Sequence, residues 1–358
     1  MATTYGKNLK LTIYGGSHDE KIGMILSGIP SGIKIDTARL QAFMTRRAPG
    51  QNAYSTKRRE PDIPVFLSGL DGDTTNGEEI HAVIYNTNHR SGDYSSLYDT
   101  PRPSHADYTA RIKYGADVDL RGGGHFSGRL TAPMCIAGGI CLQILESQGI
   151  FVGAHIHSVA DVCDSDFDAV NLQKSDFDNC LSHSFPTLDI SAGELMQKKI
   201  EEARRELDSL GGVIQCGVIG LPVGLGEHIF DGVESRISGV IFGIPAVKGI
   251  EFGLGFGSTK IRGSQNNDPF VTDGKTVKTV TNNCGGILGG MTNGMPVIFN
   301  VALKPTPSIG KTQQSVSLSR MENVNIEVGG RHDPCIVPRA VPVIEAACAI
   351  AIYDMILD

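Results

Sequence analysis

The chain has 358 residues, 40% hydrophobic and 20% charged, enough to bury a core and to form one large domain or two ordinary ones. A formal net charge of −7 argues against a protein that wraps nucleic acid, and the absence of about 18 uninterrupted apolar residues argues against a membrane span. The 44 glycines follow no Gly-X-Y period, which excludes a fibre and points to many tight turns.

In chain order, MATTYGKNLKLTIYGGSHDE lacks the apolar core of a signal peptide, and LKLTIYG within it reads as a strand. DTARLQAFMTRR carries a cap at Asp36 or Thr37, Leu40, Phe43 and Met44 at helical spacing, and a stop at Pro49-Gly50. IPVFLSGL and EIHAVIYN are strand-like. Residues 131–149 are apolar nearly all round and predict a buried helix loosened by Gly138-Gly139. IFVGAHIHSVA is a further strand, followed by the helix SAGELMQKKIEEARRELDSLGG. There Ser191 and Glu194 read as a capping box, Leu195, Met196, Ile200, Ala203 and Leu207 as the apolar face, and Gly211-Gly212 as the stop. VIQCGVIGLPVGLG is a strand running into a loop, 231–243 a helix, MPVIFNVALK a strand and 341–357 a final helix. Strands not regularly separated by single helices indicate an α+β fold rather than a doubly wound sheet. With no linker or low-complexity tract, 1–358 reads as a single domain.

The eight cysteines form no CxxC pair and mostly lie in apolar runs, as expected of reduced thiols in the cytoplasm. GxxxxGK[ST] is absent, GLGFGST and GGILGG miss the GxGxxG spacing, and no GxSxG elbow occurs. His155 and His157 share one face of a strand without a third ligand nearby, so no metal site is expected. What remains is chemistry in loops: Ser17-His18, Arg46-Arg47, Arg102 with His105, RGGGHFSGR at 121–129, Lys304, Arg331 to Asp333, and Arg339. Arginine forks suit carboxylates and phosphate, histidines move protons near neutral pH, and a cationic patch on an anionic chain suits a small anion.

The ordered set GGSHDEKIGMILSGIPSGI, RRAPGQN with KRREPD, NHRSGDY, RPSHADYTARIKYG with RGGGHFSGRLTA, GIPAVKGIEFGLGF, NNCGGILGGMTNGMP with KPTPSI, and GRHDPCIVPRAVPVIEA closely resembles the chorismate synthase family. The resemblance runs from about residue 8 to 354. It implies a sandwich of helices packed between antiparallel β-sheets, a homotetramer, and an enzyme of the shikimate pathway. The implied reaction is 1,4-anti elimination of phosphate from 5-enolpyruvylshikimate 3-phosphate, with loss of the C6 proton, to give chorismate. It requires reduced FMN (FMNH2) without net redox change.

Carried over residue by residue, the resemblance implies that Arg46, Arg47, Arg102, Arg129 and Arg339 bind the substrate anion. His18 protonates the departing phosphate with help from Ser17, His105 lies against the flavin, and Asp333 lies near its N5; Ser127 belongs to both the catalytic and the cofactor set. The other implied flavin contacts are His125, Phe126, Pro245, Ala246, Gly289, Lys304, Pro305, Thr306, Pro307, Ser308 and Arg331. The chain departs from the family pattern RGGGRSSARETA at His125, Phe126, Gly128 and Leu130, from GESHG at Gly16 and Asp19, and from a common arginine at Ala53. The family domain fills the chain, so the expected partner is an external flavin reductant, without intrinsic NADPH-driven reduction of flavin. The alternatives are a flavin-dependent oxidoreductase acting on a small phosphorylated anion, and a non-catalytic phospholigand binder. A binder needs no proton donors, whereas an enzyme should lose turnover when His18 is replaced by alanine.

Overall fold

A computed structural model describes residues 1–50, 60–86, 98–115, 117–329 and 333–358. Two five-stranded antiparallel sheets carry the fold. The first runs in the order Ala2–Tyr5, Lys10–Tyr14, Lys21–Ser27, Ile80–Tyr85, Val65–Ser68. The second runs Val247–Phe252, Val297–Leu303, Gly212–Ile219, Phe151–Val159, Val162–Cys163. The mixture of antiparallel sheets and helices is α+β, as the element order predicts.

The central helix Thr131–Ser147 faces the first sheet, and the C-terminal helix Val337–Ile356 faces the second. The two helices pack on each other, and Gly138 explains how closely. A Cβ there would stand 2.3 Å from Ala346 Cβ and 2.4 Å from Ala346 Cα, so the helix backbones meet where a side chain would hold them apart. The stretch Gly128–Ser147, which contains the central helix, is long and apolar enough to cross a membrane, yet most of it is buried inside the fold.

Helix ends depart from the sequence reading, three of them for a visible reason. The C-terminal helix begins at Val337, four residues before the expected start, because Pro338 is tolerated in a first helical turn. The helix predicted to start with a Ser191–Glu194 capping box instead spans Ile190–Arg205, with Asp189 as its cap. The Asp189 carboxylate accepts from Ser191 N at 2.8 Å, so the true cap lies two residues earlier. The same helix stops at Arg205, before Leu207 enters the left-handed region at φ 59, and Gly212 already belongs to the next strand. The helix Thr37–Arg47 is capped at Asp36, whose carboxylate accepts from Arg39 N at 2.9 Å.

All eight cysteines are free, and burial pushes the Cys135 and Cys335 thiols up to about 12. His155 is a buried structural group, with Nδ1 3.1 Å from Asp164 and Nε2 3.2 Å from Gln215. Among the described residues no cluster of histidine, cysteine and carboxylate side chains could hold a metal ion.

Candidate active site

The glycine run supplies the frame. Gly122, Gly123 and Gly124 take φ values of 59, 91 and 55°, consecutive left-handed positions that only glycine adopts without strain. Each glycine meets a different neighbour. A Cβ on Gly122 would lie 2.6 Å from His18 Cδ2 and Nε2 and 2.9 Å from Ser17 Oγ. One on Gly123 would lie 3.4 Å from both His105 Nε2 and Ser127 Cβ. Gly124 O accepts from Ser17 N at 3.1 Å. The run therefore brings the two histidines and two serines of the predicted catalytic set, from three separate loops, onto one stretch of backbone.

His105 is oriented by a residue the sequence reading missed. Its Nδ1 lies 2.6 Å from Asp107 Oδ1. Arg102 grips the same carboxylate through Nε to Oδ2 at 2.7 Å and Nη2 to Oδ1 at 2.8 Å, and its Nη1 donates to Ser308 Oγ at 3.1 Å. Burial would raise the Asp107 carboxyl, but hydrogen bonds from Arg102 and His105 outweigh it and hold it well below the usual carboxylate range. An ionised carboxylate only accepts, so Nδ1 carries the proton and donates it to Asp107. Nε2 is then left facing Gly123. The signal was local, an aspartate two residues beyond the histidine in SHAD.

A second buried group adjoins Ser17 and Ser127. Asp62 lies between two arginines, with Oδ2 2.8 Å from Arg47 Nη1 and Oδ1 bonded to Arg129 Nη1. Arg47 also donates to Thr131 Oγ1 at 3.1 Å and to Gly128 O at 2.8 Å. Glu60 stands 3.3 Å from Arg129 Nη1. Arg339 donates to Arg47 O at 3.1 Å and pairs with Asp333. Burial would raise the Asp62 carboxyl, yet Arg47 and Arg129 together hold it below its ordinary value. Arg129 Nη2 is buried and has no hydrogen-bond partner among the described residues. Arg47, Glu60, Arg129 and Arg339 border a cavity of about 260 Å³ that Ser17, Gly122, Ser127, Pro245, Thr306 and Asp333 also line.

Not every predicted residue joins this cavity. Arg46 turns away to a bidentate pair with Glu345, at 2.7 and 2.9 Å, and Glu345 is only 2% exposed. Its guanidinium ties the helix Thr37–Arg47 to the C-terminal helix and makes no anion fork in the cavity. His125 and Phe126 lie on the other side of the glycine run. His125 Nδ1 donates to Gly15 O at 2.8 Å, and Nε2 accepts from Thr3 Oγ1 at 3.0 Å. It lines a second cavity of about 430 Å³, together with His18, Asp19 and Asp119. The Phe126 ring centroid is 6.0 Å from that of Tyr114, which borders the same cavity.

The loop after the strand Val297–Leu303 reaches both histidine and arginine groups. Lys304 Nζ donates to Ser104 O beside His105, Lys304 N donates to Ala246 O at 3.0 Å, and Thr306 Oγ1 donates to Asp333 O at 3.2 Å. Desolvation and nearby Lys248 hold the Lys304 ammonium below its ordinary value. Pro305 and Pro307 lie between these residues in the same loop. Gly289 is placed elsewhere, beside Gly290, whose carbonyl accepts from Val233 N at 2.8 Å. Arg331, His332, Ala53 and the basic residues 57–59 lie outside the described residues.

A phosphorylated, planar cofactor such as FMN fits these residues. A Cβ at Gly123 would fill the gap between His105 and Ser127, so the bare glycine leaves that face open. From the 304–308 loop, the Lys304 ammonium reaches Ser104 O beside His105 and the Ser308 hydroxyl meets Arg102, groups of a kind suited to phosphate.

The comparisons with known proteins agree with one another. The family model for chorismate synthase matches residues 9–357. Chorismate synthase of Dehalococcoides mccartyi is 43% identical to this chain, covering 100% of it and 97% of its own length. That of Pyrococcus abyssi is 44% identical, covering 98% of this chain and 97% of its own. A crystal structure of chorismate synthase superposes with a TM-score of 0.78 at 28% identity, covering 99% of this chain and 93% of its own.

Proposed function

The chain belongs to the chorismate synthase family of carbon–oxygen lyases, and on that premise we propose that it converts 5-enolpyruvylshikimate 3-phosphate to chorismate with reduced FMN as cofactor. The observation that carries this reading is the glycine run. Through it, two histidines and two serines from separate loops converge beside a buried arginine cluster.

In this reading Arg47, Arg129 and Arg339 receive the carboxylates and phosphate of the substrate. Asp62, Glu60 and Asp333 hold the guanidiniums in place, so little reorganisation accompanies binding. Arg129 Nη2 is a donor ready for an anion. His18 protonates the departing phosphate as an imidazolium, and Ser17, bonded through its amide to Gly124, places it. Arg102 acts through Asp107, which holds the His105 tautomer with Nε2 toward the cofactor. Lys304, Thr306 and Ser308 would hold the FMN phosphate or ribityl chain, and Pro245, Ala246 and Ser127 would contact its ring system. When bound, reduced FMN would supply electron density for C–O cleavage without net redox change.

The same reading treats 1–358 as one domain, its two buried helices sandwiched between the sheets, and one extended apolar core that includes both helices supports this. It includes a homotetramer, a cytoplasmic location and an external source of reduced flavin. Phe230, Phe256 and Phe270, exposed by 88, 79 and 65%, support self-association.

The test is anaerobic turnover with FMN either oxidised or chemically reduced, following phosphate release and chorismate absorbance. Product in many-fold excess over reduced flavin is expected. Flavin oxidised in proportion to product would instead identify an oxidoreductase, and substrate bound without turnover a binder.

A further inference from the structure

Asn86 is a buried amide at the end of the strand Ile80–Tyr85, and neither the sequence motifs nor the roles above account for it. Its two side-chain atoms face different parts of the site. Nδ2 donates to Asp19 O at 2.7 Å, and Oδ1 accepts from Arg129 Nε at 3.0 Å. Its own backbone amide donates to Glu20 O at 2.9 Å, which fixes the strand end against the same turn. Asp19 N in turn donates to Gly16 O at 3.1 Å, closing the turn that presents Ser17 and His18. One planar group thus spans the turn bearing the proton donor and the guanidinium with a free Nη2.

We infer that Asn86 is a positioning residue that holds the Ser17–His18 turn and Arg129 in a fixed relation, so that anion and proton donor meet in register. This rests on the functional reading above. The chemistry suits the task. Arg129 Nη1 is occupied by Asp62, and pinning Nε as well leaves rotation about the guanidinium no freedom. Nη2 then has one direction. An amide meets both needs because it donates and accepts at once; an aspartate in its place accepts only.

The test is a double-mutant cycle between Asn86→Ala and Arg129→Lys, reading KM and kcat separately, with Asn86→Asp as a third variant. Asn86→Ala should raise KM about 10- to 100-fold, as expected when a hydrogen bond to a charged group is lost. In the Arg129→Lys background the same change should cost far less, because a lysine has no Nε–H fork to orient. Asn86→Asp keeps the acceptor for Arg129 but loses the donor to Asp19 O, so its main loss should fall on kcat. Melting temperatures of all variants separate these effects from unfolding. Losses that multiply across the cycle, or an Asn86→Ala enzyme with unchanged KM, would overturn the inference while wild-type turnover left the functional reading standing. Wild-type protein unable to turn over the substrate would refute that reading itself.

Discussion

Gly122→Ala is the smallest change that should disable the site. The new methyl would sit 2.6 Å from two atoms of the His18 ring and 2.9 Å from Ser17 Oγ, well inside contact distance. It would also place alanine at φ 59, a left-handed conformation costing about 1–2 kcal/mol for a residue with a Cβ. The strain alone should lower the melting temperature by about 2 °C for a chain of this size. The larger effect is on chemistry. His18 cannot keep its position against an added methyl, and loss of a well-placed general acid costs about 10²- to 10⁴-fold in kcat. Steady-state phosphate release under anaerobic conditions, with thermal melting alongside, measures both. Gly263→Ala is the control, since its Cβ would enter open space from ordinary backbone, and it should leave both quantities unchanged. A Gly122→Ala enzyme with kcat within about threefold of wild type would refute the assignment of His18 as the proton donor, given that magnitude.

Asp107→Asn should lower kcat by freeing the His105 tautomer, and it should also change acid stability. The folded-state carboxyl lies well below its usual range, so its contribution is present above the unfolded carboxylate value and lost as pH falls through the folded one. Chemical denaturation should therefore show a wild-type advantage over Asp107→Asn that is constant near neutrality and shrinks below about pH 4. Arg46→Ala should cost about 3 kcal/mol of stability by stranding Glu345, with KM nearly unchanged; a large rise in KM would return Arg46 to the substrate site. Lys304→Ala should weaken FMN binding at least about tenfold while barely affecting riboflavin, as titration by flavin fluorescence would show. Equal losses for the two ligands would place the lysine away from the phosphate.

Why Arg47 enters the site and Arg46 does not follows from helix geometry. Adjacent residues on a helix point about 100° apart, so a helix bordering the cavity can send only one of the pair into it. The motif names both arginines, and only packing decides between them. All-round apolarity, not periodicity, made the central helix legible as a buried one, and thirteen residues of Thr131–Ser147 are buried. The cap of Ile190–Arg205 was missed because Asp189 and Ser191 compete for the same role, and the aspartate carboxylate captured the serine amide. Asp62 and Asn86 were not legible for a different reason. Their decisive partner, Arg129, lies 67 and 43 residues away, and no local pattern reports a contact of that range.

The departures from the family pattern gain meaning from their placement. Gly16, Asp19 and His125 line the 430 Å³ cavity, and Phe126 packs on Tyr114 at its edge. Ser127, Arg129, Asp333 and Arg339, which match the pattern, line the smaller cavity on the other side of the glycine run. Among the described departures only Gly128 opens onto that side, where a missing methyl adds space without removing a donor. Leu130 is simply buried. The described changes therefore concentrate on one face of His18 and leave the arginines of the smaller cavity in place. Asp19 lies close against Gly16, with Oδ2 3.3 Å from where a Cβ at 16 would begin, so the turn keeps a carboxylate beside His18. Asp119, whose carboxyl is held below its ordinary value chiefly by its hydrogen bond from Arg121, borders the same cavity. Sequence divergence on this face therefore relocates the carboxylate beside His18 and leaves the arginine cluster of the smaller cavity intact.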